Sequence, residues 1–348
     1  MTVLFIGLGA VGQRHLRNLI KLIPDVKIIA YRQRGLNFVL NDKLEIIDGE
    51  NLEEKYNITV YHDLGEALAQ KPDIAFITNP TSLHIETALK AAEAGCCLFL
   101  EKPISHNMNN VQKLLNIINE KQLVSFVGYQ NRFHPCIKKA KELLDAGVLG
   151  DIIALNIENG EDIRSWHKYE DYRGAYAARK ELGGGAAVTQ IHEIDYVHYF
   201  FGMPLSAYAI GGKLSSLEIN VEDTVSVLLK YNLKGKHIPV HIHEDYIQTP
   251  PSRSCKIIGD NGKLIFDLIN NSIIVYDAKA NVVFNETYVD FVRNNMFEEE
   301  LALFLDCVKE RRDSFLPAKE GVKSLKVALA IQKSLETGEI IKIENKGE

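Results

Sequence analysis

The chain lacks a cysteine framework. Its five cysteines, Cys96, Cys97, Cys136, Cys255 and Cys307, are scattered and form no C-x-x-C pair. That excludes a disulfide-stapled secreted scaffold and points to free thiols in a reducing cytoplasm. No apolar run approaches the ~20 residues of a membrane span, and the first strand begins at once, leaving no room for a signal peptide. There is no excess of positive charge: 40 Lys and Arg against 46 Asp and Glu give a net charge of −6, so no general attraction to nucleic acid is expected. Repeats and low-complexity tracts are missing. His241 and His243 alternate on one strand without an identifiable third ligand, so no metal site is expected.

What is present is a stretch from Thr2 to His15, TVLFIGLGAVGQRH. Val3, Leu4, Phe5 and Ile6 read as a strand buried on both faces. Gly7, Gly9 and Gly12 follow in G-x-G-x-x-G spacing, and a helical stripe of Leu16, Leu19, Ile20 and Ile23 starts immediately. Such a turn, with Ala10 and Val11 between its glycines, lets backbone approach a pyrophosphate at a helix N-terminus. The second strand, Val26 to Tyr31, ends in Tyr31-Arg32-Gln33-Arg34 with no acid for a ribose 2′-hydroxyl. Arg32 and Arg34 suit a 2′-phosphate instead, so NADP is favoured and NAD is not excluded.

Residues 36 to 57 read as polar and irregular with one amphipathic piece. Alternation then resumes: strands at Ile58–Tyr61, Asp73–Thr78, Cys97–Leu100 and Val124–Gly128, and helices at Asp63–Gln70, Ser82–Ala94 and Met108–Glu120. This pattern calls for a doubly wound parallel sheet whose ligands lie beyond the carboxyl ends of the strands. After about residue 150 come a polar, aromatic-rich segment (Asn159 to Glu181), a helix from Val188 to Phe201, and successive strands without helices, which predict a mostly antiparallel sheet. The fold class expected is α/β: a Rossmann domain over 1–123, then an α+β domain over 124–348 with a large open sheet.

With these motifs in order, the chain resembles the glucose-fructose oxidoreductase, inositol dehydrogenase and MocA family. The likeness rests on GLGAVGQRH, NPTSLH (Asn79 to His84), EKP (Glu101 to Pro103), VGYQNRFHP (Val127 to Pro135), LGDI (Leu149 to Ile152) and GGGAAVTQIHEID (Gly183 to Asp195). Segment Asp162 to Gly185 is similar to a subgroup found with pathways for surface polysaccharides and sialic-acid-like sugars. The resemblance implies hydride transfer between a nicotinamide and a sugar or cyclitol carbon, and a homodimer or homotetramer paired through the C-terminal sheet. It places Lys102 and His192 as the proton-transfer residues, with Glu101, Asn79 and Pro80 at the cofactor. His84, Arg132 and Asn131 are further candidates for cofactor or substrate contact. The family's usual aspartate before the histidine is replaced by Thr189, whose hydroxyl can hydrogen-bond a substrate but cannot act as a carboxylate base.

The residues themselves suggest the substrate. Trp166, the only tryptophan, lies among Arg164, Tyr172, Arg173, Tyr176 and Arg179. Aromatic faces with cationic forks suit a sugar carrying a carboxylate or phosphate. The expected substrate is therefore a nucleotide-linked or acidic sugar. A free sugar or cyclitol, and a dinucleotide sensor without turnover, are the rival readings.

Overall fold

A computed structural model describes residues 1–344 except 34, 36 and 37; the expectation for Arg34 lies outside the described residues. The first part runs β1 (Thr2–Ile6), α1 (Ala10–Leu22), β2 (Lys27–Tyr31), β3 (Phe38–Leu40), β4 (Ile46–Asn51), α2 (Leu52–Lys55), β5 (Thr59–Tyr61), α3 (Leu64–Ala69), β6 (Ile74–Ile77), α4 (His84–Glu93), β7 (Cys97–Leu100), α5 (Val111–Glu120) and β8 (Ser125–Val127). Six of these strands form an all-parallel sheet in the order β5-β2-β1-β6-β7-β8. The doubly wound expectation is met, and β8 carries the first sheet past residue 123.

In-register parallel pairing stacks equivalent positions, and here it builds an aromatic column. Phe5 pairs with Phe76, Phe76 with Phe99 and Phe99 with Phe126. Their rings lie 4.6, 5.1 and 5.5 Å apart, near parallel. Phe304, from much later in the chain, closes the column edge-on at 5.4 Å from Phe99. All five are fully buried, so they contribute both apolar burial and ring–ring geometry.

The second part runs α6 (Pro135–Asp145), β9 (Ile152–Gly160), α7 (Ala186–Thr189), α8 (His192–Phe201), β10 (Ser206–Gly212), β11 (Thr224–Leu233), β12 (Lys236–Asp245), β13 (Ser252–Gly259), β14 (Gly262–Asp267), β15 (Ser272–Asp277), β16 (Val282–Thr287), α9 (Asn294–Glu310), α10 (Ala318–Thr337) and β17 (Ile341–Lys342). Its nine-stranded sheet has the order β16-β15-β14-β13-β9-β12-β11-β10-β17. Every neighbouring pair is antiparallel except β9 with β12. Helix α10 packs on one face, where the Ala209 amide reaches Ser334 Oγ at 2.9 Å. The opposite face leaves Ile153, Tyr208, Ile210 and Leu228 exposed.

Two local expectations are corrected. Within the irregular stretch 36–57 lies the β3–β4 hairpin. Its alternation is invisible in sequence because β4 is almost wholly exposed. A tertiary contact fixes it: the Leu40 amide donates to Gln13 Oε1 at 2.8 Å, and Gln13 Nε2 donates to the Phe38 carbonyl at 3.1 Å. The helix expected over 188–201 is broken between Thr189 and His192. Gln190 ends α7 (φ −88°, ψ 26°) with its backbone N–H still on the Ala186 carbonyl at 2.9 Å, while its side-chain Nε2 donates to the Asp245 carbonyl at 3.1 Å. That break frees the Thr189 carbonyl for another donor. Gly338, with φ 71°, stops α10 as expected.

Candidate active site

The carboxyl ends of β1, β6 and β7 face the end of β9, the start of β13 and the start of α9 across one cleft of about 1020 Å³. Helix α9 brings the two parts together. It packs on α1, with the Arg14 guanidinium 4.6 Å from the Phe297 ring and Asn294 hydrogen-bonded to Asn18 at 2.9 Å.

One end of the cleft is the glycine turn. Gly7 has φ +97°, and a Cβ there would lie 2.8 Å from the Asn79 amide nitrogen. A Cβ on Gly12 would lie 2.7 Å from the Gly7 carbonyl oxygen. Both glycines are forced by close packing. Gly9 differs: a Cβ there would meet nothing within 4 Å. Gly9 is also the N-cap of α1, with no side-chain cap and no acid in the first turn. Gly7, Gly9, Ala10 and Val11 line the cleft. Open space over an uncapped helix start fits the diphosphate of a dinucleotide. Asn79, Pro80 and His84 line the same wall. The His84 ring stands 2.8 Å from both the Asn79 and the Pro103 carbonyl oxygens, so it ties the two loops together. At the far end, Arg32 is buried and its Nη1 donates to Glu53 Oε1 at 3.0 Å. The guanidinium expected to meet a 2′-phosphate is thus already in an ion pair.

The other end holds the ionisable groups. Burial disfavours the Glu101 carboxylate, but the His15 ring 2.7 Å away and the Lys102 charge and amide outweigh it, holding Glu101 below its usual range. Lys102 Nζ donates to the Thr189 carbonyl at 2.8 Å. Burial lowers the Lys102 pKa to about 8, with Arg253 pushing the same way and Glu101 opposing. Burial also holds His192 well below its ordinary value, helped by the charges of Lys102, Arg253 and Arg293. The Gln130 amide donates to His192 Nε2 at 3.0 Å, and His192 Nδ1 has no hydrogen-bond partner among the described residues. The Tyr246 hydroxyl lies against that of Thr189. The loop after β9 covers the cleft from above. Trp166 packs edge-on to Tyr246 at 5.3 Å, Tyr169 meets Phe38 at 5.5 Å, and Tyr176 lines the wall.

Not every expected residue arrives. Arg132 is buried away from the cleft lining, bidentate on Asp195 at 2.8 Å for both bonds, with its guanidinium 4.7 Å from the Tyr199 ring. Asp195, three residues after His192, is therefore engaged by Arg132. Asn131 is buried and does not line the cleft. Arg164 pairs with Asp162, and Arg173 pairs with Asp171 and Glu218; both are exposed. Tyr172 and Arg179 also lie outside the lining. The arginine cluster read from the sequence does not converge on the site. Two arginines not singled out there, Arg253 and Arg293, do line it. No motif marks them, because one opens a strand and the other precedes a helix about forty residues on.

Comparison with known proteins identifies the family of the chain. Residues 1–129 match the GFO/IDH/MocA model described as an oxidoreductase family with an NAD-binding Rossmann fold, and residues 141–343 match the C-terminal alpha/beta domain of that family. Myo-inositol 2-dehydrogenase of Thermotoga maritima is 24% identical over 352 residues, covering 99% of each chain. The 2,7-anhydro-N-acetylneuraminate hydratase of Mediterraneibacter gnavus is 27% identical over 176 residues, covering 48% of this chain and 44% of that protein. A levoglucosan dehydrogenase structure with NADH and levoglucosan superposes with a TM-score of 0.81 at 17% identity, covering 99% of this chain and 100% of the other. The glycine cradle, the lysine and histidine facing it, and both family matches lead to one conclusion: this chain belongs to the GFO/IDH/MocA family of oxidoreductases, with an NAD-binding Rossmann fold and a C-terminal α/β domain.

Proposed function

We propose that the cleft transfers a hydride between a nicotinamide dinucleotide and a secondary alcohol or ketone carbon of an acidic or nucleotide-linked sugar. The observation that carries this reading is the meeting of the glycine turn, the Lys102 amine and the His192 ring in one cavity. When bound, the nicotinamide supplies the hydride chemistry. The uncapped start of α1 at Gly9, Ala10 and Val11 holds the diphosphate. Glu101, fixed by His15, is placed to accept from a ribose hydroxyl, and Asn79 and Pro80 form the wall beside it.

The protein's own groups move the proton. Burial lowers the Lys102 pKa to about 8, so its free amine is reached far closer to neutral pH than that of an ordinary lysine. That amine takes the hydroxyl proton in oxidation and returns it in reduction. The Gln130 amide donates to His192 Nε2, which leaves the imidazole proton on Nδ1 as a donor for the substrate oxygen as charge builds there. Thr189 adds a hydroxyl to the same wall but no carboxylate.

For the coenzyme, NADP remains the proposed preference. No carboxylate ends β2, and Lys43 lines the cleft at that end beside Arg32, whose guanidinium is paired with Glu53. For oligomerisation, the exposed Tyr208, Ile210 and Leu228 on the open sheet face are proposed to meet a second copy of the chain, as a dimer or tetramer. An acidic sugar agrees with the name of the relative matched over 48% of this chain, a hydratase of an N-acetylneuraminate derivative. A neutral cyclitol is the second reading. It is favoured by the full-length myo-inositol dehydrogenase relative and by the failure of Arg164, Arg173 and Arg179 to reach the cleft. The test is absorbance of the reduced nicotinamide with NAD or NADP across acidic sugars, nucleotide sugars and inositols. Turnover with an acidic or nucleotide-linked sugar is expected. Tight dinucleotide binding with no turnover on any substrate would replace the enzyme by a sensor.

A further inference from the structure

We propose that Arg293, together with Arg253, forms a carboxylate-binding subsite beside the reacting carbon, so that the sugar oxidised or reduced here carries a single carboxylate on the same monosaccharide. This rests on the reading above for the identity of the reacting pair.

Arg253 is fixed before any ligand arrives. Its Nε and Nη2 donate to the two oxygens of the fully buried Glu193 at 2.8 and 3.0 Å, and Asn159 Nδ2 holds the same carboxylate at 2.9 Å. That geometry uses one face of the fork and leaves the Nη1 hydrogens of Arg253 for the cleft it lines. Arg293 stands on the residue before α9, exposed into the same cleft. Among the described residues, no carboxylate comes within ion-pair distance of it. Glu161, also lining the cleft, is the acid whose charge reaches both arginines, and Arg253 repels Arg293.

Charge and position then narrow the ligand. Glu193 matches Arg253, and Arg293 is left with one positive charge that Glu161 offsets only at longer range. A single planar carboxylate balances it and suits the planar guanidinium. A nucleoside diphosphate would bring more negative charge than this end of the cleft can match. Both arginines act electrostatically on His192 and Lys102. All four side chains line the same cleft, so an anion held by the arginines shares the cavity with the oxygen that loses its proton. The exposed arginines of the covering loop cannot serve, since each is engaged by its neighbouring aspartate.

The test compares matched neutral and carboxylated sugars on the intact protein. Glucose, galactose and myo-inositol are set against glucuronate, galacturonate and N-acetylneuraminate, with UDP-glucose as the diphosphate arm. Turnover is read from nicotinamide absorbance, and binding from quenching of reduced-coenzyme fluorescence. A carboxylated sugar is expected to bind and react best. Arg293→Met should raise its KM about 30-fold with a smaller change in kcat and unchanged coenzyme affinity, and Arg293→Lys should recover part of the loss. Three results overturn the proposal: neutral sugars handled as well as acidic ones, UDP-glucose preferred over every carboxylated sugar, or Arg293→Met without effect on the preference. The first two leave sugar oxidoreduction standing. If nothing turns over, the proposed function fails, and the fluorescence arm alone decides the subsite: a carboxylated sugar that binds through Arg293 supports it, and no such binding ends it.

Discussion

The two ends of the cleft are built in different ways. The coenzyme end is contiguous: β1, the glycine turn and α1 span residues 2 to 22, Gly7 and Gly12 answer contacts within that βα unit or with the residues after β6, and Gly9 faces open space. The proposed substrate end gathers Lys102, Gln130, Thr189, His192, Arg253 and Arg293, drawn from both parts of the chain and from the residue before α9. A contiguous motif brings its own geometry. A dispersed one depends on how the two sheets are held together, so its defects should be chemical rather than structural when single side chains are changed.

Substitution can break that comparison, and the largest effect is expected at the dispersed end. Lys102→Ala should lower turnover about a thousandfold, within the range for loss of a general base, while coenzyme affinity measured by fluorescence titration stays within a few-fold. Equal loss of coenzyme binding would show that the two ends are not separable. Next is the aromatic column on which the first sheet depends. Phe99→Ala should destabilise by about 3–5 kcal/mol, read from the denaturant midpoint. A loss under 1 kcal/mol would mean the column does not bear on stability.

Gly9→Ala sharpens the contrast within the turn. Because its Cβ meets no protein atom within 4 Å, the thermal midpoint should not move, yet dinucleotide affinity should fall about tenfold or more where the diphosphate must approach backbone. Gly7→Ala should lose both, since its φ is +97° and the Asn79 backbone is in the way. A Gly9→Ala protein with full affinity would place the diphosphate elsewhere.

A pH profile gives a smaller effect. With the free Lys102 amine as the proposed base, kcat/KM for oxidation should rise with pH and level off above about 8, the value to which burial lowers it. The reverse reaction needs the ammonium and should fall over the same interval. A flat profile from pH 6 to 9 would remove Lys102 from proton transfer. The smallest effect is expected at Arg173: its exposed pairs with Asp171 and Glu218 are screened by water, so Arg173→Ala should change turnover by less than about twofold.

Much of the fold could be read along the chain because local patterning reports it. The buried run Val3–Ile6, the alternation of strand and helix to residue 127, and the helix-free run of strands after residue 205 each leave a periodicity that needs no partner. The β3–β4 hairpin left none, since its order comes from Gln13 on α1 rather than from its own residues. The break after Thr189 was hidden for a related reason: helical propensity runs on through Gln190, whose side-chain amide is held by the Asp245 carbonyl of a distant strand. Arginines dense in sequence are not thereby close to the cleft, and Arg164, Arg173 and Arg179 do not line it. Aspartates two residues earlier hold Arg164 and Arg173 in solvent.

The order of residues alone therefore determined the doubly wound sheet, the glycine cradle and the presence of Lys102 and His192 on its rim, because each is a local consequence of spacing and side-chain type. Tertiary structure decided which charges share the substrate end. Arg253 and Arg293 reach it from β13 and α9, and Arg132 is taken out of it by Asp195. The physical reason is that a charge acts on whatever lies within a few ångströms of it, and a linear sequence does not record that distance.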